Sequence, residues 1–138
     1  MTVSIPNMVV TMRRLAMGML AFYAVALLAI MFSAGSPDEA LWWVAVLPFL
    51  AWTVAPLAVT AFVIRLQTSF GVVTMSTGLM AVAVVSGIYV YVSSMFGEGA
   101  RSTSALILLF LPIYQWAFPL IAVIFGGARK LLSAYLDD

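Results

Sequence analysis

Seven hydrogen-bonding side chains stand deep inside otherwise apolar stretches of this chain: Tyr23, Trp52, Thr53, Ser86, Tyr114, Gln115 and Trp116. Their chemistry is that of donors and acceptors, not of nucleophiles. Gln115 is the strongest of them, because a carboxamide carries two N–H donors and an acceptor oxygen, and an unpaired one in hydrocarbon costs several kcal/mol. It must face protein rather than lipid. Two uses of such a midplane polar layer are open. It forms a ligand or permeation site with Trp52 and Trp116 as walls and Gln115 as the orienting group, or it ties helices together through hydrogen bonds worth roughly 0.6 kcal/mol each. The second use is the expected one, since no charge accompanies the layer.

The rest of the inventory narrows the chemistry by what it lacks. Histidine and cysteine are both absent. That removes the common general base, the usual axial haem ligand, thiol catalysis, disulfides and thiolate metal sites. No Asp or Glu lies within an apolar stretch, so there is no carboxylate for a proton relay or a di-metal site. Ser86 and Ser93 have no base to activate them. The nine methionines are scattered through apolar sequence and read as packing residues rather than metal ligands. The expectation is a protein that is not an enzyme and holds neither metal nor cofactor.

The elements that must position these groups follow from where charge is missing. Between Arg14 and Arg129 the ionisable acids and bases are Asp38, Glu39, Arg65, Glu98 and Arg101, gathered in three short clusters. The stretches between clusters are each long enough to cross a bilayer, because about 20 helical residues rising ~1.5 Å apiece match a slab ~30 Å thick. With 65% hydrophobic and 8% charged residues, the 138-residue chain has too little polar surface to cover a water-soluble globule. The expected fold is an all-α membrane protein of four transmembrane helices in one domain, with spans at about 15–33, 40–64, 70–96 and 104–126. Strands are a poor alternative, because the spans lack period-two alternation and a barrel needs at least eight strands of ~10 residues. The first span is longer than the apolar core of a signal peptide, so it is expected to persist as a helix despite the small residues Ser33, Ala34 and Gly35 at its end. Pro37 is positioned to start the second helix, with Asp38 and Glu39 favouring its N-terminal dipole, and Ser102 or Thr103 to cap the fourth.

Orientation follows from the loop cations. Arg13, Arg14, Arg65, Arg129 and Lys130 fall on one side, whereas Arg101 alone falls on the other, beside Glu98. The first side is expected to be cytoplasmic, with both termini on the cytoplasmic side of a bacterial-type inner membrane. Phe32, Trp42, Trp43 and Phe96 mark the outer interface, and Phe70 the inner one. Residues 1–14 and 127–138 carry Ile5, Met8, Val9 and Met12, then Leu131, Leu132, Tyr135 and Leu136, at helical spacing. They read either as short interfacial helices or as frayed termini with accidental periodicity. A net charge of +1 offers no basic field for nucleic acid.

A shift of 64 positions superposes Leu47, Pro48 and Trp52 on Leu111, Pro112 and Trp116, and with a one-residue offset Pro56 and Leu57 on Pro119 and Leu120. The pattern is that of a tandem duplication of a helical hairpin, or of coincidence in a narrow alphabet. The intraspan prolines are expected to bend the second and fourth helices. Close approach has visible sources in Ala51, Ala55 and Ala58 on the second helix, and in Gly71, Thr74, Gly78, Ala83 and Gly87 on the third. These faces hold the bundle together, or mate it with a second membrane protein or another copy of itself. The functional expectation is a small accessory protein that binds or stabilises other membrane subunits, the alternative being an oligomeric channel or facilitator for a neutral or lipid-like solute.

Overall fold

The computed structural model describes residues 4–97 and 104–136. Its elements in order are α1 (Ile5–Ala34), α2 (Ala40–Leu66), α3 (Phe70–Phe96), α4 (Ser104–Gln115) and α5 (Ala117–Leu136). α4 and α5 together form the fourth apolar segment, so the chain is an all-α protein with four helical segments long and apolar enough to span a membrane. The two central spans begin at the expected residues and end within two of them. Pro37 does not open α2; it sits in a tight turn closed by the Glu39 N–H on the Ser36 carbonyl, and the helix starts at Ala40. The proposed cap at Ser102 or Thr103 and the Glu98–Arg101 cluster lie outside the described residues.

The tails differ from expectation in continuity. The described parts of 1–14 and 127–138 are uninterrupted extensions of α1 and α5 rather than separate segments. Pro6 falls in the first turn of α1, where its missing N–H is needed by no helical bond, and nothing between it and Leu15 breaks the helix. At ~1.5 Å per residue, the 30 residues of α1 reach ~45 Å and overshoot a ~30 Å slab, so the helix tilts or projects.

The helices pack as a diamond. α2 and α3 lie against each other and against every other element, whereas α1 and the α4–α5 segment occupy opposite corners with no close backbone approach. The most extensive interface joins α1 to α3. Its seam is written in the spacing: Val9, Ala16, Tyr23, Leu27 and Met31 recur at sevens and fours on α1, facing Val73, Met80, Ala83, Gly87 and Tyr91 on α3. Polar groups are found inside this bundle. Thr60 and Thr77 are buried and donate to the carbonyls of Pro56 (2.8 Å) and Val73 (2.7 Å), which keeps both hydroxyls satisfied within their own helices. The outward faces carry Phe22, Val25, Leu41, Val44, Val85 and Leu120 instead. An apolar exterior around a core containing hydroxyls and an amide is the reverse of a water-soluble fold and suits a lipid surround. The protein is a multi-pass membrane protein.

At the α1–α2 tip, Phe32, Trp42 and Trp43 pack edge to face in a mutual triad with ring centroids 4.9–5.2 Å apart. The Trp43 indole N–H donates to the Pro37 carbonyl at 3.0 Å, placing a polar handle at the turn. Gly35 permits this cluster, because a Cβ there would overlap the Trp42 indole; its backbone is extended, so space and not φ requires the glycine. Gly35→Ala is expected to displace Trp42 and lower stability by about 1–3 kcal/mol, the usual range for overpacking. Unfolding in detergent followed by tryptophan emission checks this, and an unshifted midpoint with native emission would contradict it.

Candidate functional site

The fourth segment breaks where its chemistry is concentrated. α4 ends at Gln115, Trp116 is a turn residue, and α5 resumes at Ala117. Pro119 has no N–H to return to the Gln115 carbonyl and its ring crowds that oxygen; Pro112 does the same to Leu108. Across the break the Trp116 N–H still reaches the Pro112 carbonyl at 3.0 Å, but the Leu120 N–H reaches Trp116 only at 3.5 Å. α2 contains Pro48 and Pro56 and nevertheless runs as one helix from Ala40 to Leu66. Spacing accounts for the contrast. At ~100° per residue, prolines seven apart are within about 20° of the same face, so their wedges open one side together, whereas prolines eight apart are about 80° apart. The two stretches aligned by the 64-residue shift therefore differ here in form.

Gln115 is directed from the break into the bundle, where it is almost wholly buried. Its Nε2 donates to the Tyr23 hydroxyl at 3.1 Å and to the Ala83 carbonyl at 3.3 Å, and its Oε1 is 3.4 Å from the same hydroxyl, a long contact in which Tyr23 donates. Both amide donors are thus used. The contact spans the long diagonal of the diamond, joining α1 to α4 although their backbones do not approach. Gly87 makes that possible. A Cβ on it would stand 2.7 Å from Gln115 Nε2, 2.8 Å from the Tyr23 oxygen and 3.0 Å from a Tyr23 ring carbon. The missing side chain on α3 is the space in which the two polar groups meet.

Tyr91 completes the cluster, one helical turn from Gly87 and fully buried. Its hydroxyl is close enough to that of Tyr23 for the two to interact, yet it makes no well-formed hydrogen bond. Sequence reading missed Tyr91 and the Ala83 carbonyl. The available signal was Ala83, Gly87 and Tyr91 at successive four-residue steps, one face of one helix.

The remaining members of the expected layer do not converge on this point. Thr53 is buried but donates to Leu50 of its own helix at 3.0 Å. Ser86 is exposed and donates to the Val82 carbonyl at 2.7 Å. Trp52 lies at the surface, its indole N–H bridging to the Leu109 carbonyl of α4 at 3.1 Å, so it links helices from outside. Tyr114 points outward, 74% exposed, and Trp116 is half-buried. The small residues divide likewise: Ala83 and Gly87 face inward, Ala55 and Ala58 are half-buried, and Ala51, Gly71 and Gly78 are exposed.

Chemically, the Gln115 amide and the Tyr23 phenol form a hydrogen-bonding tie, and the Tyr91 phenol is buried with them in the apolar core. Among the described residues no three His, Cys, Asp or Glu side chains come together as metal ligands. Comparison with protein-family models, with curated proteins and with solved structures found no match.

Gly87→Ala is expected to separate Tyr23 from Gln115 and destabilise the bundle by about 1–3 kcal/mol. In a double-mutant cycle of Tyr23→Phe and Gln115→Leu, the coupling is expected at roughly 0.6 kcal/mol and below ~1.7 kcal/mol, as for other hydrogen bonds between membrane helices. Reversible unfolding in mixed micelles measures both, and additive single mutants would exclude the tie.

Proposed function

We propose that this protein is a non-catalytic accessory subunit of a bacterial-type inner membrane, which binds another membrane protein by helix packing on the outer face of α3. The observation that carries the reading is the exposure of that face. Thr74, Gly78, Val82, Val85 and Tyr89 follow one another at helical spacing and are all exposed, whereas Gly71, one turn earlier, lies beside Arg129 of α5. A Cβ on Gly78 would have nothing within 4 Å. A glycine and threonine stripe gives lipid nothing that leucine would not, but it lets a second helix approach closely. An apolar recess of about 600 Å³ at Ala81, Val82, Val85, Ser86 and Tyr89 continues the stripe toward the aromatic end. The lack of histidine, cysteine and intraspan carboxylates supports a role in assembly rather than catalysis.

The bundle centre favours this reading over a channel, since Tyr23 and Gln115 fill it and bond to each other. Solute flux through liposomes containing the protein alone would favour the channel instead. The basic end, with Arg13, Arg14, Arg65, Arg129 and Lys130, is assigned to the cytoplasm by the excess of loop cations.

Extraction in mild detergent followed by mass measurement is expected to yield a complex larger than the single chain. Gly78→Leu should abolish it without lowering the unfolding midpoint, because the added side chain meets no neighbour within the subunit. Recovery of only the single chain under conditions that preserve other membrane complexes would refute the proposal. The cysteine-free chain also allows a clean test of orientation: Thr68→Cys, at an exposed position of the α2–α3 connection, is expected to resist a membrane-impermeant thiol reagent applied from the periplasm and to react once the membrane is opened.

A further inference from the structure

A second site stands apart from both the central tie and the α3 face. Arg13 and Arg14 of α1 and Arg65 of α2 line one surface recess of about 420 Å³, together with Val10 and Met17. Three arginines on one recess concentrate positive charge there and favour an anion. Among the described residues the only carboxylates, Asp38 and Glu39, lie at the opposite end of the bundle. One of the three is fixed by the fold: the Arg13 Nη2 donates to the Gln67 carbonyl at the C-terminus of α2, and its Nε is buried without a partner. Arg14 and Arg65 are exposed and make no hydrogen bond to the protein among the described residues. Their forks are available for an acceptor with several oxygens in tetrahedral array, the geometry that guanidinium recognises in phosphate.

The surroundings select the kind of phosphate. On α1, Val10, Arg14, Met17 and Ala21 form one exposed stripe at steps of four and three, so the cation at the interface is followed into the membrane by apolar side chains. On α2, exposed Phe62 lies one turn deeper than Arg65. A headgroup held between the arginines thus leads directly to an apolar path between two helices. A free anion would use the first feature but not the second.

We propose that Arg13, Arg14 and Arg65 bind the phosphodiester headgroup of an anionic glycerophospholipid, whose acyl chains run along Met17, Ala21 and Phe62. Arg13 is the fixed element, held by Gln67; Arg14 and Arg65 close on the phosphate from the two helices. Basic recesses between helices at the membrane face are established binding places for such headgroups. The lipid bridges α1 to the end of α2 and relieves the crowding of three like charges.

Native mass spectrometry of the full chain, offered equal amounts of dioleoyl phosphatidylglycerol and dioleoyl phosphatidylcholine, tests the proposal. The expected result is retention of the anionic lipid in preference to the zwitterionic one. The double variant Arg14→Gln/Arg65→Gln should reduce that preference about thirty-fold, each interfacial arginine contributing roughly a factor of five. Arg129→Gln/Lys130→Gln, at the other basic patch, should leave it unchanged. Val10→Glu keeps all three arginines but brings a carboxylate into the recess, and it too should lose the lipid. Equal retention of both lipids by the unaltered protein, equal loss in the Arg129 and Lys130 variant, continued retention in Val10→Glu, or displacement by inorganic phosphate would each overturn the assignment.

Discussion

A polar group placed in hydrocarbon has no water to accept or donate in its stead, and the centre of this bundle is arranged around that constraint. Pro119 interrupts the fourth segment and leaves the Gln115 carbonyl without its helical donor. The same residue carries a carboxamide with two N–H groups that must end on oxygen. Tyr23 and the Ala83 carbonyl supply those acceptors, and the glycine at position 87 is what admits them. Four residues from three helices are therefore mutually dependent. Replacing any one leaves a buried donor, a buried acceptor or a steric overlap, each of which is costlier in lipid than the hydrogen bond itself is favourable. The tie crosses the diagonal that backbone packing leaves open, so it couples the two corner elements which the α2–α3 contact alone would not connect.

The two ends of the bundle solve a different problem in opposite ways. At the hairpin tip, Phe32, Trp42 and Trp43 pack their rings together and the Trp43 N–H reaches the Pro37 carbonyl, matching a region where lipid gives way to water. At the other end the chain places guanidinium groups. Arg13 caps the Gln67 carbonyl, while the Gln67 carboxamide lies against Gly126 of α5 at a distance that leaves no room for a Cβ. The α2–α3 connection is consequently held from both sides, by α1 through an arginine and by α5 through a glycine. The aromatic end relies on ring packing within one hairpin, whereas the basic end joins three helices.

Much of this was legible in the sequence because lipid imposes a coarse and readable code. Charge clusters delimited the spans, and the positions of Ala40, Phe70 and Phe96 as helix ends follow from them directly. Gln115 announced itself as a buried group, since no other environment tolerates it. What could not be read was rotation. Tyr23 and Tyr114 are both phenols near the middle of apolar segments, yet one is fully buried and the other 74% exposed. The spans are apolar on every side, so no polar stripe indicates which face turns inward. The same ambiguity concealed Tyr91 behind its neighbour Tyr89, two residues away on another face. The break at Trp116 was obscure for a related reason: four prolines look equivalent in sequence, and only their angular spacing distinguishes the pair whose wedges add.

Rotation also decides what the small residues mean. Gly78 and Gly87 lie on the same helix and are chemically identical, but one has no neighbour where its side chain would be and the other is enclosed by Gln115 and Tyr23. Interhelical packing within the chain explains Gly87 completely. It explains Gly78 not at all, because a leucine there would bury more surface against lipid or protein and would raise helix propensity. Nor does turn geometry account for it, since the residue is in the middle of a continuous helix. Under the proposed function the open space at Gly78 is where a second helix would approach α3. Its inner face is already fixed by the tie to α1 and α4, so a helix docking on its outer face would meet a rigid partner.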